Sequence, residues 1–335
     1  MTLPLARVIF FGTPELAVPC LRAVCEVAEV VLVITQPDRP KGRGMELAAP
    51  PVKLEALARG IEVLQPVAVR KPEFAERLRA LEADLAVVVA YGRILPLPVL
   101  SAPRLGCVNV HASLLPKLRG AAPIQWAIIR GEPRTGVCLM QMDEGMDTGP
   151  VLACEALDIG ATETAGELGG RLSQLGAELL RRELPRFLRG ELVAQPQDHA
   201  AATLAPLMTK DTGRMDFTRS ATELDALVRG THPWPGAFTF VLASRHGQGA
   251  QDAQRLQRIK LHRTHVLTTS GQHGAPGAVV RRDRHGIEIA CGQGVLVVDE
   301  LQPEGKRRMD AEQFCAGLRS AEDLSFGASA PTEGA

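Results

Sequence analysis

No stretch of this sequence approaches the roughly 18 consecutive apolar residues that a membrane-spanning helix needs. The opening run, MTLPLARVIFFGTPEL, is too short in its apolar part for a secretory signal, so the expectation is a cytoplasmic protein. The seven cysteines, Cys20, Cys25, Cys107, Cys138, Cys154, Cys291 and Cys315, are scattered without one C-x-x-C pair. That pattern argues against a zinc site or a disulfide framework and for small buried residues, and it singles out no catalytic cysteine. Net charge is missing as well: 38 Lys and Arg balance 38 Asp and Glu, which by itself argues against a nucleic-acid binder. The balance is uneven along the chain, since residues 206–320 hold 16 Lys and Arg against 12 Asp and Glu and six of the eight His. This mildly basic block suits a polyanionic partner without requiring one. A dinucleotide fingerprint is absent too. FFGTPELA follows the first strand-like run but lacks G-x-G-x-x-G, and Glu15 would repel a pyrophosphate, so NAD and FAD gain no support. Gly12 and Pro14 are explained by a tight strand-to-helix turn with Pro14 at the first helical position.

What the sequence does hold is length and pattern. At 335 residues the chain exceeds the usual domain of roughly 100–150 residues, so two cores are expected. RVIFF, AEVVLVIT, ADLAVVVAY and CVNVHA read as apolar strands, separated by helix-like stretches at 14–26, 51–59, 72–82 and 121–130. Such alternation implies a parallel sheet covered on both faces, a doubly wound α/β domain. Two more strand-like runs precede a long helix at 165–189 that stops at Gly190. Residues 191–209 lose periodicity and read as a linker. Ser220 and Glu223 fit a capping box. From Ala237 onward, short β-branched runs with glycine breaks indicate a small antiparallel barrel or sandwich. SRHGQGAQDAQ reads as a flexible loop. The predicted division is therefore a catalytic α/β domain at 1–190, a linker at 191–209, a β domain at 210–320 and a disordered tail at 321–335.

Chemistry concentrates in NVHASLLPKLRG, residues 109–120. Asn109 and His111, two apart on a strand, emerge on one face at a strand end, where open α/β sheets bind ligands. Asn supplies an N–H donor for a developing oxyanion, and His moves protons near neutrality. A carboxylate to orient the histidine is available in MDEGMDTGP, where Gly145 and Gly149 allow a sharp turn; spacing alone does not choose among Asp143, Glu144 and Asp147. The segment TQPDRPKGRGMELAAPPVK, residues 35–53, is too long for an ordinary βα turn. It presents Arg39, Lys41 and Arg43, which suit phosphate contact or a solvated excursion equally well.

VIFFGTPELA, TQPDRPKGRG, PVK, VVVAYGRILP, GCVNVHASLLPKLRGAAPIQWAI, TGV with MDEGMDTGP, and PWPGAF occur in one order from about residue 6 to about 320. In that order the chain closely resembles the methionyl-tRNA formyltransferase family. The N-x-H-x-S-L-L-P block and the later aspartate are shared among 10-formyltetrahydrofolate enzymes; TQPDRPKGRG and the second domain point to the tRNA branch. The resemblance implies a Rossmann-like doubly wound N-terminal domain and a smaller all-β, OB-like C-terminal barrel. It implies formyl transfer from 10-formyltetrahydrofolate to methionyl initiator tRNA, without a metal. Carried over, Asn109, His111 and Asp147 are catalytic. Ser113, Leu114, Leu115 and Pro116, with Tyr91, Gly92, Arg93, Ile94 and Leu95, contact the folate. Arg39, Lys41, Arg43 and Lys210 contact tRNA. Leu207 and His232 depart from the family pattern, which puts details of tRNA contact in question. The rivals are a formyltransferase acting on a small amine (a purine or amino-sugar nucleotide), a formyl hydrolase, and a non-catalytic RNA-binding protein. A monomer is expected.

Overall fold

The computed structural model describes residues 5–41, 46–245, 253–317 and 324–327. The chain divides into two compact units, one of Met1–Ile124, Pro133–Ile159 and Glu167–Leu207, the other of Gln125–Glu132, Gly160–Gly166 and Met208–Ala335. Among the described residues no helix is long and apolar enough to cross a membrane.

The first unit contains strands β1 (Arg7–Gly12), β2 (Glu29–Ile34), β3 (Arg39–Lys41), β4 (Glu46–Ala48), β5 (Val63–Leu64), β6 (Leu85–Val89), β7 (Cys107–His111), β8 (Arg134–Gln141) and β9 (Val151–Asp158). Helices α1 (Val18–Val27), α2 (Pro51–Ala58), α3 (Pro72–Arg79), α4 (Leu97–Leu100) and α6 (Ala165–Leu188) occur between and after them, while α5 (Pro123–Ile129) starts in this unit and from Gln125 belongs to the second. The main sheet runs β5-β2-β1-β6-β7-β8-β9. Its buried side chains alternate between two cores, Val8 and Phe10 joining one and Ile9 and Phe11 the other, because successive residues of a strand face opposite ways. The apolar runs are thus the signature of a sheet covered on both faces. The four apolar runs read as parallel strands are so, β5-β2-β1-β6-β7 pairing in parallel throughout; β8 and β9, which follow them, join as antiparallel strands. Residues 142–150 are too few for the crossover that a parallel pair requires, so β8 and β9 close as a hairpin.

That hairpin overturns the reading of Cys138 and Cys154 as unpaired core residues. They are directly opposed across β8 and β9 and joined by a disulfide. The spacing gave no sign of it, because the pairing comes from strand register. With a sequence separation of 16, the chain-entropy model allows about 3 kcal/mol of stabilisation. Cys154→Ser, or reduction, should therefore lower the unfolding free energy obtained from urea titration by up to that amount, moving the midpoint to lower urea; coincident unfolding curves with and without reductant would refute the contribution.

The second unit contains α7 (Ala221–Thr231), β10 (Ala237–Arg245), β11 (Ala253–Thr268), β12 (Val279–Asp283), β13 (Gly286–Ala290), β14 (Val295–Pro303), β15 (Met309–Asp310), α8 (Ala311–Ala316) and β16 (Leu324–Phe326). The capping box opens α7 as expected: Glu223 N–H donates to Ser220 Oγ, and Ser220 N–H donates to Glu223 Oε2. The antiparallel path is β12-β13-β14-β11-β10-β16. Its two ends meet where Ser325 bridges Ala278 and Phe326 N–H donates to Gly277 C=O, so the barrel nearly closes. The closing strand lies inside the predicted disordered tail. Leu324 and Phe326 are buried with Ser325 outward between them, a period-2 pattern too short to register in the sequence. Of the predicted flexible loop, Ser244, Arg245, Ala253 and Gln254 extend β10 and β11; residues 246–252 lie outside the described residues.

Candidate active site

Strand β7 delivers Asn109 and His111 to the same face, and Asp147 comes to meet them from the loop between β8 and β9. Asn109 Nδ2 donates to Asp147 Oδ1 at 3.4 Å. His111 is 5% exposed, with Nδ1 at 3.6 Å from Asp147 Oδ2. That separation is too long for a direct hydrogen bond but short enough for the carboxylate charge to act on the ring; catalytic contacts often tighten only when substrate is bound. The other ring nitrogen, Nε2, lies 3.0 Å from the Leu118 carbonyl. A carbonyl only accepts, so Nε2 carries a proton and Nδ1 is the atom left to face Asp147. The expectation that a carboxylate alone orients His111 is thereby extended: a backbone carbonyl holds the far side of the ring.

Of the three candidate acids only Asp147 reaches the site. Asp143 Oδ1 accepts from Gly145 N–H and Thr148 Oγ1, bracing the loop, and Glu144 is exposed. Asp147 itself takes the left-handed backbone conformation, φ 54°, which costs an L-residue about 1–2 kcal/mol. Gly149 has no positive φ; it is needed because a Cβ there would lie 2.0 Å from the Gln141 carbonyl oxygen. The sharp turn attributed to the glycines thus belongs to Asp147. Gly120 N–H donates to Asp147 Oδ2 at 2.8 Å.

The segment around Gly120 is held by residues expected to be linker. Leu118, at φ 60°, donates its N–H to Thr203 Oγ1, Arg119 N–H donates to Thr203 C=O, and Ala205 N–H donates to Arg119 C=O. Gln195 pairs with Val151, and Gln197 Nε2 donates to the carbonyls of Asp147 and Gly149. Residues 195–205 are therefore a strap across the site. They lack periodicity because they follow the loops rather than form an element, and Gln197, Arg119 and Thr203 went unrecognised as site residues for that reason.

The structure places the proposed folate residues in two groups. Residues 91–95 follow β6. Tyr91 is 2% exposed, stacks edge-on against Phe11 and has no hydrogen-bond partner for its hydroxyl among the described residues; burial pushes its pKa up to about 12 despite Arg93 nearby. Its carbonyl accepts from Thr13 Oγ1 and Gln36 Nε2. Arg93 donates to Gln36 Oε1 and to the Val67 carbonyl. The backbone N–H and C=O groups of residues 92–95 make no hydrogen bonds among the described residues. Gly92 and Ile94 are exposed and Leu95 is buried. In the second group Leu114, Leu115 and Pro116 are half-buried, whereas Ser113 is fully buried with its hydroxyl donating to the Lys117 carbonyl. Ser113 shapes the loop from within.

Arg39 is exposed on β3, which pairs with β4 in a two-stranded excursion at the end of β2. The base of that excursion is fixed by Lys53 Nζ, 2.8 Å and 2.9 Å from the two Asp38 oxygens, and by Gln65, which donates to Gln36 C=O and Asp38 Oδ1. These bonds hold the Asp38 carboxyl below its ordinary range, with Lys53 the larger cause. This is what the PVK triplet does locally. Lys41 closes β3, and Arg43 lies outside the described residues. Lys210 is exposed in the second unit; Leu207 is exposed, and His232 caps the end of α7 with its N–H on the Arg229 carbonyl. Burial pushes the Cys20 and Cys107 thiols up to about 12 and that of Cys291 up to about 11, the opposite of what a nucleophilic cysteine needs.

Residues 6–184 match the family model described as formyl transferase, and residues 207–319 the model of the formyl transferase C-terminal domain. The chain is 51% identical over 315 residues to the methionyl-tRNA formyltransferase of Myxococcus xanthus, covering 94% of this chain and 96% of the relative. It is 50% identical over 312 residues to that of Sorangium cellulosum, covering 93% and 96%. Among solved structures it is similar to an N-formyltransferase from Helicobacter canadensis in complex with folinic acid and dTDP-3-aminofucose. That likeness has a TM-score of 0.64 at 15% identity over 88% of this chain and 98% of the other; at that identity it speaks for the fold alone.

Proposed function

From the premise that this chain belongs to the formyl transferase family, among the methionyl-tRNA formyltransferases, we propose that it transfers the formyl group of 10-formyltetrahydrofolate to the α-amino group of methionine on initiator tRNA. The product is N-formylmethionyl-tRNA, and the protein acts as a cytoplasmic monomer. The observation that carries this reading is the meeting of Asn109, His111 and Asp147 at one strand end.

A folate donor fits the residues present. The unpartnered backbone groups of residues 92–95 match the hydrogen-bonding edge of a pterin, and Leu95, Leu114, Leu115 and Pro116 supply apolar wall. The donor brings an activated formyl carbon; the protein's part is to stabilise charge and move a proton. Asn109 Nδ2 has two N–H groups and spends one on Asp147, leaving the other for the formyl oxygen as the uncharged amine attacks and that oxygen becomes an oxyanion. His111, fixed through Nε2 by Leu118, is the second stabilising group in the form that carries a proton on Nδ1 as well, so that Nδ1–H can donate to the oxyanion. Asp147 sustains that state and receives, through water, the proton shed by the amine. The bond from formyl carbon to folate nitrogen then breaks, and that nitrogen leaves with the proton that Asp147 took from the amine, returned through water. No covalent bond to the protein forms. Arg39, Lys41, Arg43 and Lys210 contribute phosphate contacts to tRNA.

The test is to incubate the protein with 10-formyltetrahydrofolate and, separately, methionyl initiator tRNA, methionyl elongator tRNA and small amines. Formylation of the first well above the others is expected. Preferential formylation of a small amine, or formate release with no acceptor, would overturn the reading. Initiator tRNA affinity should fall steeply with salt, and Arg39→Ala should reduce the salt slope by about 1; an unchanged slope would remove Arg39 from the interface.

A further inference from the structure

Gln197 and Arg119 form a buried pair that the reaction as described does not use. Their side chains are 9% and 6% exposed. A glutamine amide has two ends of nearly equal shape, and what aims this one is Arg119, whose Nε and Nη2 donate to Gln197 Oε1 at 3.1 Å and 2.7 Å. With the oxygen held, the amide nitrogen points into the Asp147 turn and spends both of its N–H groups there, on the Asp147 carbonyl at 2.9 Å and the Gly149 carbonyl at 2.7 Å. Arg119 is fixed in turn by His199 Nδ1, which accepts from Nη1 and Nη2 at 3.2 Å each. Among the described residues no carboxylate pairs with this guanidinium. A buried cation satisfied only by neutral acceptors is a poor source of stability. The arrangement is instead suited to imposing one conformation. The residue after Arg119, Gly120, donates its N–H to the Asp147 carboxylate, so one connected unit grips Asp147 at its main chain and at its side chain. The gripped residue is the one in the left-handed conformation, which persists only where surrounding groups over-determine it.

We infer that Gln197, aimed by Arg119, is a positioning residue for formyl transfer: it fixes the turn that presents Asp147 to His111 and Asn109. The inference rests on the reading of Asp147 as the catalytic carboxylate. Gln197→Glu keeps the length and the Arg119 contact but sets a carboxylate oxygen against two carbonyls. Gln197→Met keeps the length and removes the polar groups. In both full-length variants the saturating single-turnover rate should fall roughly 10- to 100-fold, the effect of a displacement near 1 Å, while KM for folate and for tRNA stays within about twofold. Hydrogen exchange at the Gly120 amide should quicken at least about tenfold as its acceptor is released. That readout needs no substrate, so it stands even if the wild type proves to formylate something else. The two substitutions differ in polarity, so one folded variant suffices. A wild-type rate in a folded variant, or a rate loss with Gly120 exchange unchanged, would overturn the inference.

Discussion

Asp147→Asn should lower the single-turnover rate of formyl transfer by roughly 10²- to 10⁴-fold, the range associated with a positioned general acid or base. The substitution is nearly isosteric, and one side-chain oxygen can still accept the Gly120 N–H that now reaches Oδ2. The other position becomes an amide nitrogen. It would face Asn109 Nδ2, now 3.4 Å from Oδ1, donor against donor, and it can take no proton. The charge acting on His111 Nδ1 disappears as well, while the Leu118 carbonyl still holds Nε2. The ring would thus stay in place and lose its function. His111→Ala should cost a similar factor, and the double variant little more than either alone, because groups that act as one unit give non-additive losses. Rapid-quench measurements with saturating folate donor and charged tRNA decide the matter. A rate within about threefold of wild type for Asp147→Asn would remove the carboxylate from the mechanism. Additive losses in the double variant would mean that the two residues act separately.

Asn109 and His111 were legible because strand periodicity is strict: two residues apart at the end of an apolar run must share a face. The aspartate was less legible. Three acids stood in one loop, and only the family resemblance selected Asp147; the structure supplies the physical reason, since Asp143 is spent inside the loop on Gly145 and Thr148. The strap at 195–205 was not legible at all. Its contacts are made to carbonyls and amides of distant loops, and backbone groups look alike in every sequence. The same holds for the Leu118 carbonyl that fixes His111. Cys138 and Cys154 illustrate a different gap, because their pairing depends on the β8–β9 register, which composition and spacing do not encode. The capping box of α7 lies at the other extreme: it is local, and it is present as the sequence implied.

Gly149→Ala tests whether the Asp147 turn is as tightly specified as these contacts imply. An added Cβ would sit 2.0 Å from the Gln141 carbonyl oxygen and 3.0 Å from its carbon. Both are main-chain atoms of a strand end, pinned by the bond from Gln141 N–H to the Pro150 carbonyl, so no side-chain rotation relieves the collision. The backbone at 149 has to move, and the Gly149 carbonyl that receives the Gln197 amide at 2.7 Å moves with it. Overpacking of this kind costs about 1–3 kcal/mol, which the domain can survive. The site cannot absorb the displacement so well, because a shift near 1 Å at Asp147 costs roughly 100-fold in rate. Gly145→Ala is the control. Its Cβ would meet Thr148 Oγ1 at 1.9 Å and Thr148 Cβ and Cγ2 at 3.0 and 3.1 Å; rotation of the Thr148 side chain removes the first contact at the loss of its bond to Asp143, and a shift of a few tenths of an ångström relieves the other two. The expected result is therefore an asymmetric pair: Gly149→Ala folded, modestly destabilised and about 100-fold slower, against Gly145→Ala within about threefold of wild type. Thermal melts and single-turnover rates measured side by side decide it. Equal losses in the two variants would mean that the loop is soft and that Asp147 is placed by substrate rather than by the fold.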